Sequence, residues 1–500
     1  MGTATTTSKP GIQSAGHFDV LVIGAGISGI DAAYHLKKYL PQRSFCVLES
    51  QAAFGGTWKT HTYPGIRSDS DLYTFGFGWK PWVGAPIASA PEILNYLSEA
   101  IEEQELGDSI RYRHKVRRAS WSSQDKRWSL LVENLDTGEQ LAFTANFLWM
   151  CQGYYDHDKP YTPTWPGMDD YKGRIVHPQL WPEDLDYSDM KVLVIGSGAT
   201  AATIVPAMAG GCKHITMLQR SPTFFWPRPN IDELAETLRP LDLPPEWTHE
   251  IVRRNVLKIQ EELVTRSAEE PEAVKAELLD AAREFLGDDF DIEKHFTPRY
   301  RPWQQRVAVI PDGDLFTGLR EGLASVVTDE IETFTEKGVL LKSGEELEAD
   351  LIITATGFQL LVLGGITFDV DGKPVDLADT VTWHGIMFTG VPNLAWVFGY
   401  FRASWTLRAD LIAEMLIRMF SHMDATGASV VTPQLRAEDS DMQLKPWIEA
   451  DNFNPGYLQR SLHLMPKQGD HEPWLFTQDY WYEKDAFPEA EVDDGALNYS

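Results

Sequence analysis

Two short glycine-rich segments, GAGISG at residues 24–29 and GSGATA at residues 196–201, have a residue spacing from which chemistry can be predicted. In the first, Gly24, Gly26 and Gly29 stand in G-x-G-x-x-G spacing. The first glycine permits a tight turn, the second lets a pyrophosphate approach the backbone, and the third lets a helix pack closely on a strand. Unpaired N–H groups and the helix dipole at a helix start favour phosphate. The segment therefore predicts a dinucleotide-binding fold.

The elements on either side of this motif support the prediction. Residues 18–23 form an apolar run that suits a buried parallel strand, and residues 30–40 repeat apolar side chains as one face of a helix does. Residues 45–48 are predicted as the next strand, which ends at Glu49, where a carboxylate can accept hydrogen bonds from ribose hydroxyls. Without these elements the motif would indicate only a glycine-rich turn. The acid favours a cofactor with a free ribose.

The second segment repeats this arrangement after another apolar run. Gly196 and Gly198 keep the first two glycine positions, and Ala201 takes the third, where alanine is the usual substitute. The position that corresponds to Glu49 is held by Arg220. A guanidinium matches a 2′-phosphate in charge and fork geometry, whereas a carboxylate would repel it. The second fold therefore suits NADP, and the alternative for Arg220 is a solvated surface cation.

Composition excludes several classes of protein. A length of 500 residues predicts more than one domain, and a net charge of −29 gives no surface for nucleic acid or anionic membrane. Cys46, Cys151 and Cys212 form no C-x-x-C pair, which argues against a metal site, a disulfide framework and thiol-based flavoenzymes. No apolar run reaches the roughly 18 residues of a membrane span. We expect a cytoplasmic protein whose residues 1–17 form a disordered leader.

The segment between the two glycine motifs carries a resemblance to a known family. Residues 171–182 read YKGRIVHPQLWP. They resemble the F-x-G-x-x-x-H-x-x-x-W-[PD] fingerprint of type I Baeyer–Villiger monooxygenases, with Tyr171 in place of phenylalanine. The pair Trp181-Pro182 separates this group from the related N-oxidising flavin monooxygenases. Segments such as GGTW, YPGIRSDSDLYT and PKQG most resemble the ethionamide-activating monooxygenase branch.

The motifs and the resemblance together predict an α/β fold with two Rossmann-like dinucleotide-binding domains, one for FAD and one for NADP, and a helical insertion. Helix-like segments are expected at 231–239, 246–268 and 271–286, an antiparallel meander at 110–148, and a solvated acidic tail at 483–494. The expected division of the chain is the leader at 1–17, the FAD-binding domain at 18–165 and 351–500, the NADP-binding domain at 166–223 and 299–350, and the helical insertion at 224–298.

The resemblance also implies a reaction and its catalytic residues. NADPH reduces FAD, and the reduced flavin uses O2 to insert one oxygen atom next to a ketone carbonyl, giving an ester or lactone; sulfides are further expected substrates. An arginine of the family that reaches the flavin matches Arg306, which Asp69 is expected to orient. Many relatives have lysine where this chain has Gln305. Phe224, Trp226 and other aromatic residues indicate an apolar substrate pocket.

Two alternatives stay open at this point. One is an N- or S-oxidising flavin-containing monooxygenase, and the other is a non-catalytic nucleotide-binding redox protein. The catalytic candidates are Arg306 and Asp69, and no metal ligand is expected. The residues expected to contact FAD or NADP are Gly24, Gly26, Ser28, Gly29, Glu49, Gly56, Thr57, Trp58, Arg67, Ser68, Asp69, Tyr73, Val116, Gly153, His177, Trp181, Gly196, Gly198, Ala199, Thr200, Ala201, Arg220, Ser221 and Gly357.

Overall fold

The computed structural model describes residues 12–500, so residues 1–11 of the predicted leader lie outside the described residues. The first part of the chain builds most of a nine-stranded sheet and the helices that cover it. Its elements are β1 (Gln13–Ile23), α1 (Ile27–Tyr39), β2 (Phe45–Leu48), α2 (Thr57–Thr60), α3 (Leu72–Phe75), α4 (Ala90–Glu103), β3 (Ile110–Arg111), β4 (His114–Ser122), β5 (Arg127–Asn134) and β6 (Gln140–Met150).

Strand β1 is central to this sheet because it pairs in parallel with both β2 and β6. Its side chains alternate between two cores: Val20 and Val22 pack on the side of α1, and Leu21 and Ile23 pack on the other. A strand buried on both faces is typical of a parallel sheet covered on both sides. Burial of each such side chain contributes about 1.5–3 kcal/mol, which fixes the strand that ends at the first glycine motif.

The described residues correct the end of the predicted leader and confirm the meander. Strand β1 starts at Gln13, and residues 13–17 pair with β6 from Gln13 opposite Leu141 onward. These small and polar residues gave no strand pattern because the partner that orders them lies far along the chain. The predicted meander is confirmed by the antiparallel pairing of β4 with β5 and of β5 with β6.

The middle of the chain builds a second, five-stranded sheet and the helices beside it. Its elements are β7 (Arg174–Val176), β8 (Lys191–Ile195), α5 (Ala199–Met208), β9 (His214–Gln219), β10 (Phe225–Arg228), α6 (Glu233–Leu238), α7 (Pro245–Glu269), α8 (Pro271–Leu286), α9 (Ile292–His295), β11 (Ala308–Pro311), α10 (Asp314–Arg320), β12 (Ala324–Thr328), β13 (Ile331–Phe334), β14 (Gly338–Leu341), β15 (Glu346–Glu348) and β16 (Leu351–Thr354).

The strand order of this sheet is β12-β9-β8-β16-β7, and every pair is parallel. The carboxyl ends of all five strands therefore meet at one edge, which is where doubly wound folds bind their ligands. The three helices predicted in the insertion are confirmed as α6, α7 and α8. Strands β10 and β11 enclose the insertion and pair with each other in parallel.

The last part of the chain returns to the first sheet and adds a long helix. No helix in the described residues 12–500 has the length and apolar character needed to cross a membrane. The elements are β17 (Thr367–Val370), β18 (Lys373–Pro374), β19 (Thr382–Trp383), β20 (Met387–Phe388), β21 (Leu394–Trp396), α11 (Trp405–Thr426), β22 (Val431–Pro433), β23 (Lys445–Pro446), α12 (Gly456–Ser461), β24 (Lys467–Gln468), α13 (Tyr480–Glu489) and β25 (Leu497–Tyr499).

The prediction of a solvated acidic tail at 483–494 is wrong for Glu483, whereas Asp485, Glu489, Glu491 and Asp493 are exposed. Glu483, in α13, is 1% exposed and accepts a hydrogen bond from Nε of Arg408 at 2.8 Å, while Arg408 is itself fully buried in α11. Strand β25 closes the chain against β22. The run of acids hid this packing because the cation that holds Glu483 lies on another helix.

Candidate functional site

The first glycine motif forms a turn that only glycine fits. Gly24 has φ +103°, and a Cβ on it would lie 2.7 Å from the carbonyl oxygen of Cys151. A Cβ on Gly29 would lie 1.8 Å from the carbonyl oxygen of Gly24, so the helix and the strand touch at this point. Gly26 is the residue before α1 and leaves the first N–H groups of that helix without intrahelical partners. The turn therefore presents backbone donors to a phosphate.

Glu49 ties this turn to the end of β2. One carboxylate oxygen accepts the N–H of Ala25 at 2.7 Å, and the other accepts the N–H of Gln51 at 2.7 Å. Glu49 is 6% exposed, so its orientation is fixed by these two bonds. A carboxylate has about four lone-pair sites, and those that remain can accept bonds from ribose hydroxyls.

A cavity of about 330 Å³ extends from this turn and is suited to a flavin dinucleotide. Gly26 and Gly56 both line it and their backbones approach closely, since a Cβ on Gly56 would come within 3.1 Å of Cα of Gly26. Side chains at these positions would fill the space that a cofactor's backbone-bound phosphates need. The predicted cofactor-binding residues that line the cavity are Gly24, Gly26, Ser28, Glu49, Gly56, Thr57, Trp58, Val116 and Gly153.

Two aromatic residues of the cavity were not among the predicted cofactor contacts. Trp405, at the start of α11, donates its Nε1–H to Oγ of Ser28 at 2.7 Å. Its ring stacks on that of Tyr154 with centroids 5.3 Å apart and planes within 8°. Tyr154 follows the predicted Gly153 directly, so its position was within reach of the sequence. Trp405 lies 377 residues after Ser28, and no local signal joins them.

The structure brings Arg306 and Asp69 together as a bidentate ion pair. Nε of Arg306 lies 2.5 Å from one carboxylate oxygen of Asp69, and Nη2 lies 2.6 Å from the other. Nη2 also donates to Oγ of Ser70 at 3.0 Å, and Nη1 donates to the carbonyl oxygen of Phe401 at 3.3 Å. Burial lowers the pKa of Arg306, but the charge and hydrogen bonds of Asp69 outweigh it and raise the pKa above its usual range. Arg306 is thus a fixed, permanent cation.

This ion pair lies beside a second, smaller cavity of about 70 Å³. Ser404 lines the small cavity and Trp405 lines the large one, so the two cavities adjoin. Of the predicted aromatic residues, Trp226 faces the small cavity, whereas Phe224 is 1% exposed and belongs to a hydrophobic core. The apolar walls of the small cavity are Pro86, Ile87, Trp226, Ile231, Leu263, Val264, Trp303, Val307 and Val309.

One acid of the small cavity has an unusual pKa. Burial raises the pKa of Asp71 to about 7, although the N–H of Tyr73 and the charge of Arg228 lower it. The N–H of Tyr73 lies 2.9 Å from Oδ1 of Asp71, which therefore caps the start of α3. The cavity thus contains a carboxyl group that changes its charge near neutral pH.

The second glycine motif repeats the geometry of the first. Gly196 has φ +131°, and a Cβ on it would lie 2.2 Å from the carbonyl oxygen of Ala355. Gly198 precedes α5 and faces open space, and Ala199 and Thr200 form the first turn of that helix. Ala201 is fully buried, as the third position of the motif requires. Gly357, with φ +96°, follows the neighbouring strand β16 at the same edge of the sheet.

Arg220 and Ser221 follow the last residue of β9 and are exposed at this edge. Oγ of Ser197, inside the glycine motif, donates to the carbonyl oxygen of Ser221 at 3.3 Å. The turn after β9 is thereby held beside the start of α5. A guanidinium at this place can reach the ribose of a dinucleotide whose phosphates occupy the helix start.

Comparison with known proteins decides the family. Residues 22–84 match a family model described as an NAD(P)-binding Rossmann-like domain, and residues 87–231 match one described as flavin-binding monooxygenase-like. The FAD-containing monooxygenase EthA of Mycolicibacterium smegmatis is 45% identical over 97% of this chain and 97% of its own length. The chain belongs to the FAD-containing monooxygenases. The probable FAD-binding monooxygenase AlmA of Acinetobacter baylyi is 43% identical over 97% of this chain and 96% of its own.

Solved structures of other monooxygenases have the same fold as this monooxygenase. An oxidised steroid monooxygenase bound to NADP superimposes with a TM-score of 0.75 at 22% identity, over 97% of this chain and 99% of that one. An open cyclohexanone monooxygenase superimposes with a TM-score of 0.72 at 18% identity, over 97% and 100%. The predicted fold class, the flavoprotein monooxygenase family and its FAD and NADP cofactors are confirmed. The alternative of a non-catalytic redox protein is not supported.

The fingerprint residues of the monooxygenase, 171–182, include strand β7 at the edge of the second sheet. Nδ1 of His177 accepts the N–H of Gln179 at 3.1 Å, and Nε2 of His177 is buried without a partner in the described part of the chain. Burial lowers the pKa of His177. Trp181 packs against the hydrophobic core of the second sheet rather than against either cavity. Its placement makes it a packing residue of the NADP-binding domain.

His177 belongs to a group of buried and half-buried histidines whose pKa values are lowered by burial, and the sequence did not indicate this group. Burial lowers the pKa of His61 to about 4, and the charges of His157 and His177 would lower it further. The rings of His61 and His157 are 6.4 Å apart. Both ring nitrogens of His61 lack partners among residues 12–500. His61 directly follows α2, and His157 directly follows Asp156.

Three predicted cofactor contacts of the monooxygenase lie away from both cavities. Arg67 donates from Nη1 to Asp314 at 2.6 Å and faces a separate surface cleft. Ser68 is 2% exposed and is used in a turn, where its Oγ accepts the N–H of Ser70 at 3.0 Å. Tyr73 is 2% exposed and lies in the core. Their neighbourhood to Asp69 suggested a cofactor, but the turn directs these side chains elsewhere.

Proposed function

We propose that this monooxygenase catalyses Baeyer–Villiger oxidation with NADPH, inserting one oxygen atom of O2 next to the carbonyl of a ketone. The products are an ester or a lactone, and sulfides are further substrates. When bound, FAD reduced by NADPH supplies the activation of O2. The observation that carries the proposal is the ion pair of Arg306 and Asp69, which lies where the flavin cavity adjoins the small cavity.

Arg306 supplies the fixed positive charge that this reaction needs. Negative charge develops on oxygen as it attacks a carbonyl, and a preorganised cation in a site that excludes water stabilises that charge. Arg306 cannot lose its proton, and its three hydrogen-bond partners hold it in place. Asp69 is a positioning residue, because it acts by holding the guanidinium. This arrangement suits an attack by anionic oxygen on a ketone.

The small cavity supports a substrate of mainly apolar character. Trp226 comes from β10, and Leu263 and Val264 come from α7, so the helical insertion supplies one wall. Val307 and Ile87 supply another. Apolar walls favour the carbon skeleton of a ketone by removing its surface from water. The carbonyl then lies toward the polar end that Arg306 occupies.

The cofactor-binding roles follow from the two glycine motifs. The turn at Gly24 and Gly26 holds the pyrophosphate of FAD, and Glu49 accepts bonds from its ribose. The turn at Gly196 and Gly198 holds the pyrophosphate of NADPH. Arg220 binds its 2′-phosphate, which predicts a preference for NADPH over NADH.

The test compares NADPH consumption with product formation in the purified holoenzyme. With linear and cyclic ketones under ¹⁸O₂, we expect an ester or lactone that carries one labelled oxygen atom. Arg306→Ala should keep FAD and consume NADPH, while ester formation falls by about 10²–10³-fold and hydrogen peroxide accumulates. Arg299→Ala is the matched control, because Arg299 is an exposed arginine of the same segment.

Two results would overturn the proposal. If no ketone gives an ester while amines or sulfides are oxidised in step with NADPH consumption, the chain is an N- or S-oxidising monooxygenase. If Arg306→Ala forms ester at the rate of the Arg299→Ala control, Arg306 is not the stabilising cation. The resemblance of Trp181-Pro182 to the Baeyer–Villiger fingerprint favours the proposed reaction over the first of these outcomes.

A further inference from the structure

Arg460 lies at the edge of the second sheet although it belongs to the C-terminal part of the chain. It is an exposed residue of α12. Its guanidinium carbon lies 3.6 Å from the ring centroid of Tyr161. Its Nη2 is 3.5 Å from the carbonyl oxygen of Phe358 and would be 4.0 Å from a Cβ placed on Gly357. Since Gly357 follows β16, Arg460 lies where the strands of this sheet end.

The environment of Arg460 leaves its positive charge available to bind an anion. Its contacts in residues 12–500 are an aromatic face and one long hydrogen bond to a carbonyl, and no carboxylate pairs with it there. Stacking on Tyr161 fixes the plane of the guanidinium while its N–H edges stay free for a planar or tetrahedral anion. Carboxylates are abundant in a chain of net charge −29, so an arginine that pairs with none of them in residues 12–500 is available to bind another anion.

A second cation lies close to it. The charge of Arg220 lowers the pKa of Arg460, in addition to the larger effect of partial burial. Arg220 also interacts with Glu330, but Glu330 forms an ion pair with Lys342 at 2.7 Å. Two arginines that repel each other, and that form no ion pair with a carboxylate in residues 12–500, are arranged as an anion-binding pair.

We propose that Arg220 and Arg460 together bind the 2′-phosphate of NADPH, with Arg460 contributed by α12. This inference rests on the proposed role of Arg220 and adds a second specificity-determining residue from outside the NADP-binding domain. The same helix also lies close to the flavin cavity. Tyr457, one turn before Arg460 in the same helix, has its ring 6.1 Å from that of Tyr155, which lines the flavin cavity.

The test measures equilibrium binding of nucleotides to the FAD-loaded protein, independently of turnover. Calorimetric titration with 2′,5′-ADP and with 5′-ADP separates the 2′-phosphate from the rest of the nucleotide. We expect Arg460→Gln to weaken 2′,5′-ADP by roughly ten- to a hundredfold and 5′-ADP by less than about threefold. Arg220→Gln should give the same pattern, and Arg460→Lys should fall between wild type and Arg460→Gln, since it keeps the charge but loses the fork.

Arg174→Gln is the control, because Arg174 is exposed on the same sheet but lies at the amino end of β7. If Arg460→Gln binds both nucleotides as Arg174→Gln does, Arg460 has no role and the inference fails. If it weakens both nucleotides equally, Arg460 binds the shared phosphates and the 2′-phosphate assignment fails. If only Arg220→Gln is neutral, the proposed role of Arg220 is the error. Should Arg460→Gln lose FAD, the Arg460→Lys titration decides by the same comparison.

Discussion

Replacement of Asp69 by alanine tests whether Arg306 works through its position. In the wild type, Asp69 accepts from Nε and Nη2 of Arg306 at 2.5 and 2.6 Å. After Asp69→Ala, the guanidinium keeps only neutral partners, namely Oγ of Ser70 and the carbonyl oxygen of Phe401. Arg306 would stay charged but would no longer be held in one geometry. The variant therefore separates the presence of the cation from its orientation.

The magnitude follows from the exposure of the pair. A hydrogen bond to a charged group contributes about 1.5–3 kcal/mol. The side chains of Arg306 and Asp69 are 35% and 24% exposed, so solvent screens them in part. The lower part of the range, about 1.5–2 kcal/mol, is therefore appropriate for the pair as a whole. At 1.36 kcal/mol per tenfold change, ester formation should fall by about ten- to thirtyfold.

The assay records ester, NADPH consumed and hydrogen peroxide in the same reaction. We expect Asp69→Ala to lower kcat for ester formation and the ratio of ester to NADPH, with KM for NADPH and the bound FAD unchanged. Asp69→Asn keeps one acceptor oxygen, so its loss should be smaller. Asp314→Asn is the matched control because it breaks another arginine–carboxylate pair of the same loop, between Asp314 and Arg67, which faces a separate cleft.

Two results would refute this reasoning. If Asp69→Ala forms ester within about twofold of wild type, the orientation of Arg306 does not limit the reaction, although a loss of at least about tenfold follows from the bond strengths. If Asp314→Asn lowers the ester-to-NADPH ratio as much as Asp69→Ala does, the effect comes from the loop as a whole. A loss of FAD in both variants would have the same meaning.

Two further predictions concern buried charges. Burial lowers the pKa of His35, but the charge and hydrogen bonds of Asp31 outweigh this effect and raise the pKa to about 9. The raised pKa contributes about 3 kcal/mol to the free energy of unfolding. This stabilisation is complete below about pH 6.5 and is lost as the pH rises through 9. His35→Gln should lower Tm strongly at pH 6 and little at pH 10, and an equal loss at both would contradict this. Glu483→Gln removes the counter-charge of the fully buried Arg408 and should cost about 3–5 kcal/mol in urea unfolding, unlike the exposed control Glu491→Gln.

The parts of the fold that could be predicted are those with local causes. Helices α7 and α8 were predicted nearly to their ends because their side-chain periodicity lies within one segment and a proline marks each start. Residues 13–17 and the burial of Glu483 were not, because a distant strand orders the first and a buried arginine on α11 holds the second. Sequence patterns indicate which side chains of a segment are buried, but they do not indicate which distant residues those side chains pack against.

The same division applies to the site. The positions of Gly24, Glu49 and Gly196 follow from motifs in which neighbouring residues set the geometry. Trp405 and the packing of Trp181 depend on tertiary neighbours, so spacing alone could not place them. Arg67 and Tyr73 show the converse, since residues beside Asp69 in the chain turn away from it in space.

A strongly acidic chain can bind two anionic cofactors if hydrogen-bond donors and cations are concentrated at the binding sites. In the first fold, we expect backbone N–H groups at the start of α1 to bind the phosphates, and the Glu49 carboxylate accepts two more N–H groups. In the second fold the equivalent position holds Arg220, with Arg460 beside it. The two sites share one backbone design and differ in charge at the end of the second strand. We propose that this difference excludes a 2′-phosphate from the first site and favours it in the second.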